Sequence, residues 1–145
     1  MRLYHDTLKN LNTELLHEKT PPYQYRLRLP LNMKNAAEEA GFEADVRQTN
    51  HEGVLVDWIQ EALGQFDGIV INPAAYTHTS IAILDALKAV SLPCAEVHLT
   101  DISKRESFRQ ISYAGMACQA HFIGMGFEGY KKAMEWAAGQ DSRRV

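Results

Sequence analysis

The chain has 145 residues, enough for one domain with a real core, and 46% of them are hydrophobic. Its net charge of −3 argues against a nucleic-acid-binding surface, which would show clustered Lys and Arg. No stretch approaches the apolar length needed to cross a bilayer, and Met1-Arg-Leu-Tyr-His-Asp6 lacks the apolar block of a secretory signal, so a cytoplasmic protein is expected.

In chain order, Met1 to Leu8 is polar and broken by Asp6, a poor central strand. Asn32 can cap a helix in which Met33, Ala36, Ala37 and Ala40 share a face, and Gly41 ends it. Phe42, Ala44 and Val46 then alternate with charged residues, as in a strand. Leu55, Trp58, Ile59, Ala62 and Leu63 follow helical spacing up to Gly64. Ile69-Val-Ile71 is a continuous apolar run, the mark of a strand covered on both faces. A helix is expected from about Ser80 to Val90, burying Ile81, Leu84, Ala86 and Leu87. Pro93 opens the strand Cys94-Ala-Glu-Val-His-Leu99, and a short charged helix is expected around Lys104 to Gln110. A last strand near Phe122-Ile123 precedes a helix with Tyr130, Ala133, Met134 and Ala137 on one side. Repeated strand–helix alternation without repeats or linkers predicts a single α/β domain over 1–145. Its expected architecture is a doubly wound, flavodoxin-like parallel sheet with helices on both faces. Cys94 and Cys118 have no metal-ligand spacing and read as two buried thiols.

In such a sheet ligands bind at the carboxyl ends of the strands. Three strand ends carry polar residues: Gln48, Asn50, His51 and Glu52; Asn72 to Ser80; and His98, Thr100 and Asp101. Each also has a plainer reading. His51 fits a surface residue, Asn72-Pro73 a turn, and His78-Thr-Ser80 a helix cap. The cap geometry would equally suit an anion. Arg105 and Arg109, four apart, would share a helix face; its plain reading is a solvated face, and its place just beyond the His98 strand would suit an anionic, hydroxylated ligand. The six His show no H-x-x-x-H spacing, and Gly124, Gly126 and Gly129 make only a weak imitation of a nucleotide loop, so no metal or cofactor is expected.

Five segments carry a specific resemblance: Gln48-Thr-Asn-His-Glu-Gly53, Ile71-Asn-Pro-Ala-Ala-Tyr-Thr-His-Thr-Ser80, Glu96-Val-His-Leu-Thr100, Arg105-Glu-Ser-Phe-Arg109 and Gly124-Met-Gly-Phe-Glu-Gly-Tyr130. In order and spacing they resemble the type II 3-dehydroquinate dehydratase family, from about Asn50 to Ala138. The resemblance implies a flavodoxin-like fold and a dodecamer built as a tetramer of trimers. It also implies cofactor-free, reversible dehydration of 3-dehydroquinate to 3-dehydroshikimate through an enolate, in the shikimate or quinate pathway. By the same resemblance Asn72, Leu99 and Thr100 would hold the substrate carboxylate. His78 and Arg109 would grip ring hydroxyls, Asp85 would reach in from a neighbouring subunit, and Arg105 would support them. His98 would be the general acid, oriented by Glu96, and Asn10 would help stabilise the enolate through a water.

The family's base is a tyrosinate on a mobile N-terminal loop, here about 13–30, with an Arg shortly before it. This chain keeps only Asn10-Leu-Asn12 of the family's Asn-Gly-Pro-Asn-Leu-Asn, and has His17-Glu18 at the expected Arg. The expected Tyr falls near Pro22, which makes Tyr23 the preferred base, with Tyr25 the alternative. The departure leaves a second reading open, a degenerate relative that binds cyclitol-like acids without efficient turnover. A polar tail is expected over 139–145.

Overall fold

The computed structural model describes residues 2–7 and 33–141. Five parallel strands form one sheet: β1 (Arg2–Thr7), β2 (Glu43–Arg47), β3 (Gly68–Asn72), β4 (Cys94–His98) and β5 (Ala120–Ile123). Their order, β2-β1-β3-β4-β5, is that of the flavodoxin-like doubly wound fold, as expected. The helices are α1 (33–39), α2 (Glu52–Glu61), α3 (Ile81–Val90) and α4 (Glu128–Asp141).

The apolar run in β3 is buried along its whole length, because helices cover both faces. On one face Ile69, Ile71 and Cys94 pack against Leu55 and Ile59 of α2 and Ile83 and Leu87 of α3. On the other, Val70, Ala95 and Val97 meet Met33 and Ala37 of α1 and Tyr130, Ala133, Met134 and Ala137 of α4. Side-chain parity along β3 and β4 thus sorts alternate residues into two separate cores. Glycine ends two helices where a left-handed residue is needed: Gly41 after α1 (φ +82°) and Gly64 after α2 (φ +76°). Ser80 caps α3 by accepting the Ile83 N–H at 2.9 Å.

The structure corrects several expectations. The polar first segment does form a strand, and it lies inside the sheet, paired in parallel with β2 (Leu3↔Ala44) and β3 (Tyr4↔Ile69). Backbone pairing on two sides outweighs a poor intrinsic preference. Ile81 is 49% exposed and Leu63 60% exposed, since α3 turns Ile83 inward instead and Leu63 lies past the end of α2. The charged helix around Lys104 to Gln110 is replaced by two 3₁₀ turns, Ile102–Lys104 and Ser107–Arg109. The final helix runs to Asp141, so the first three residues of the expected tail are helical. Cys94 and Cys118 are free thiols with sulfurs 3.2 Å apart; Cys94 is buried and Cys118 only half-buried. Asn10, Tyr23, Tyr25, Asn32 and the loop over 13–30 lie outside the described residues.

Candidate active site

Strand β4 places Glu96 and His98 on the same face, two residues apart, and both are buried. His98 Nε2 lies 2.6 Å from Glu96 Oε1. The Thr77 hydroxyl, on the 3₁₀ turn Ala74–His78, donates to the same oxygen at 2.7 Å, and the Ser112 hydroxyl donates there too. His121, the register partner of Glu96 on β5, brings Nδ1 to 3.0 Å from Oε2. Burial alone would push this carboxyl up. The hydrogen bond and charge of His98, with the Ser112 and Thr77 hydroxyls, prevail and hold it down at about 2. Glu96 is therefore ionised at neutral pH and can only accept hydrogen bonds. His98 must then carry a proton on Nε2, which leaves Nδ1 as its proton-transfer atom.

At Gly115 the packing against this pair tolerates no extra atom. A Cβ on Gly115, in the 3₁₀ turn Ala114–Ala117, would collide with Glu96 Oε2 and stand 2.8 Å from Ser112 Oγ. The Gly115 N–H instead donates to Ser112 Oγ at 2.9 Å, which aims that hydroxyl at the carboxylate.

At the adjacent end of β3, Asn72 is buried, with Oδ1 accepting the Ala74 N–H at 3.1 Å and Nδ2 donating to the Tyr130 hydroxyl at 2.8 Å. The first bond holds Ala74 at φ +48°, a conformation that costs a non-glycine residue energy. His78 Nδ1 is 2.7 Å from the Ile111 carbonyl, a contact that requires Nδ1–H and leaves Nε2 as the acceptor in the neutral ring. The Tyr113 N–H donates to Thr77 O at 2.7 Å, so the segment carrying Ser112 is tied to the His78 turn. Tyr76 donates to Asn50 O at 3.1 Å, joining the loop after β2 to this rim. Leu99 and Thr100 follow His98 directly, half-buried.

Arg105 and Arg109 lie beyond β4, but on separate turns and not on one helix face. Arg105 Nη2 donates to Thr100 Oγ1 at 2.7 Å. Arg109 pairs with Glu106 at 2.9 Å and lies over the Phe108 ring. Asp85 is exposed on α3. The hydrogen-bonded pairs Glu96–His98 and Thr100–Arg105 thus stand at one strand end, and Asn72 and His78 at the next. Sequence reasoning missed Thr77, Ser112, Gly115, His121 and Tyr130 as parts of the site. Thr77 and Tyr130 stand within segments that carry the resemblance. Ser112, Gly115 and His121 come from a loop and an edge strand with no period to mark them.

A doubly wound α/β chain with a buried carboxylate–histidine pair at a strand's carboxyl end is the class of protein that fold and site define. The sequence matches the family described as Dehydroquinase class II over residues 12–138. It is 54% identical over 99 residues to 3-dehydroquinate dehydratase 2 of Pseudomonas aeruginosa, covering 68% of this chain and 67% of that protein. It is 53% identical over 104 residues to 3-dehydroquinate dehydratase of Bartonella bacilliformis, covering 72% and 66%. The matched segment therefore spans about two thirds of these relatives' length. The type II dehydroquinase of Butyrivibrio crossotus superposes with a TM-score of 0.83 at 38% identity, covering 95% of this chain and 97% of that one. The Propionibacterium acnes type II dehydroquinase gives 0.81 at 33%, covering 95% and 98%. This chain belongs to the class II dehydroquinase family. Among the described residues no helix is long and apolar enough to cross a membrane.

Proposed function

We infer that the chain catalyses the reversible dehydration of 3-dehydroquinate to 3-dehydroshikimate, a hydro-lyase step of the shikimate or quinate pathway, carried out in the cytoplasm. The observation that carries the reading is the buried Glu96–His98 pair, whose geometry suits a general acid.

A C–H beside a ketone is a weak acid, so its removal needs a strong base and a stabilised enolate. Tyr23 is assigned as that base; an ordinary Tyr, with a pKa of about 10, is mostly protonated at neutral pH and needs a nearby cation. The electron pair of the broken C–H bond passes into the carbonyl, and Asn10 steadies the enolate through a water. When the enolate reforms the ketone, the neighbouring hydroxyl departs, takes the proton from His98 Nδ1 and leaves as water. Glu96, ionised and hydrogen-bonded to Nε2, stabilises the imidazolium before that transfer. Asn72 with Leu99 and Thr100 receives the substrate carboxylate, His78 Nε2 and Arg109 the ring hydroxyls, and Arg105 adds positive charge beside Thr100. Asp85, exposed on α3, completes a neighbour's site in a homo-oligomer, a dodecamer of four trimers.

The test is turnover followed by the ultraviolet absorbance of the conjugated product. The wild type should form product, and His98→Ala should lose turnover while still binding substrate. A His98→Ala variant at near-normal rate would remove the general-acid assignment. An inactive wild type that binds the substrate would favour a degenerate binder.

A further inference from the structure

His121 holds a position that the reading above does not use. It sits on the edge strand β5, directly across the ladder from Glu96, with its side chain 45% exposed. Its ring turns inward, Nδ1 against Glu96 Oε2. Beside it opens a cavity of about 360 Å³, lined among others by Glu96, Ser112, Gln110 and Met116.

The four donors on Glu96 are divided unequally. Thr77, Ser112 and His98 converge on Oε1, and His121 engages Oε2. The terminal torsion onto a planar carboxylate is soft and turns both oxygens together about the Cγ–Cδ bond, so the three bonds to Oε1 restrain it from one end only. A donor on the opposite oxygen restrains it from the other end and gives Oε2, on a buried residue, its hydrogen-bond partner. Facing an ionised carboxylate, His121 must present Nδ1–H, so the bond survives whether or not Nε2 is protonated. A β-branched residue would fit an edge strand at least as well, so folding does not ask for a histidine here.

We propose that His121 is a positioning residue for the dehydration: it locks the plane of the Glu96 carboxylate, and through it the ring of His98. The proposal rests on His98 being the general acid.

The experiment compares His121→Val, which removes the donor, with His121→Asn, whose amide nitrogen can take the place of Nδ1. By analogy with groups that orient histidines at metal centres, worth about 10–100-fold, His121→Val should lower kcat at least about 10-fold with KM little changed. His121→Asn should restore most of that loss. Proton NMR gives the second readout. The His98 Nε2–H, assigned by its absence from His98→Ala, should shift and broaden in His121→Val and return in His121→Asn. Wild-type turnover and an unaltered His98 proton in His121→Val would overturn the proposal, as would equal losses in both variants. If the wild type proves inactive, the reading of His98 as acid falls, and the NMR comparison alone still decides whether His121 holds the pair.

Discussion

Replacing Glu96 by Gln changes one atom's chemistry and leaves the shape intact. All four hydrogen bonds at this carboxylate are donated to it. An amide brings its own donor, so one partner must meet an N–H where it needs an acceptor, at a residue only 1% exposed. The native carboxyl is depressed from 4.5 to about 2, and at about 1.4 kcal/mol per pH unit that displacement corresponds to on the order of 3 kcal/mol. Because the folded-state value lies below the unfolded one, this stability is complete above about pH 5 and drains away as pH falls towards 2. Denaturant titrations of wild type and Glu96→Gln across pH 2–7 should therefore show two curves, separated by roughly 3 kcal/mol near neutrality and converging at the acid end. Turnover should fall much further, by as much as about 10⁴-fold, by analogy with carboxylate-to-amide replacement beside the histidine of a Ser-His-Asp triad. Parallel stability curves would refute the assignment of the acid limb to Glu96. Near-normal turnover would refute its support of His98.

Three further outcomes are expected. Gly115→Ala should cost about 1–3 kcal/mol and depress kcat, because the added carbon displaces Ser112 or the carboxylate itself; a variant as stable and active as wild type in thermal unfolding and turnover would contradict the packing. Asp85→Ala should weaken substrate binding in calorimetry without altering the monomer's fold, and a fully active monomer in light scattering would remove the shared-site assignment. Tyr23→Phe should reduce kcat far more than it raises Kd, with Tyr25→Phe nearly silent; the reverse result would exchange the two roles.

The fold was legible because its strongest signals are periodic. The buried run Ile69-Val-Ile71 and the one-sided stripe of Tyr130, Ala133, Met134 and Ala137 call for a sheet with both faces covered by helices. The first strand was not legible, since its place depends on neighbours 40 and more residues away and not on its own composition. At the site, the pairing of Glu96 with His98 came from the family resemblance, and the strand parity observed in β4 agrees with it. Arg105 and Arg109 misled for the opposite reason, because helical spacing was assumed where the chain makes two tight turns. Ser112 and His121 reach Glu96 from 16 and 25 residues further along, distances that no local pattern encodes.

The ladder between β3 and β4 acts as a ruler for the chemistry. It pairs Ile69 with Cys94, Val70 with Ala95 and Ile71 with Glu96. Asn72 belongs by parity to the α1–α4 side of the sheet, whereas His98 belongs to the α2–α3 side. Neither helical layer alone can set the spacing between them. A slip of one residue would move the strand ends by about 3.3 Å and turn His98 towards the wrong layer. The two cores, by refusing every residue of the wrong parity, keep Asn72 and His98 in a fixed relation. Substitutions that loosen either core far from the rim should therefore broaden the distribution of that spacing before they unfold the chain.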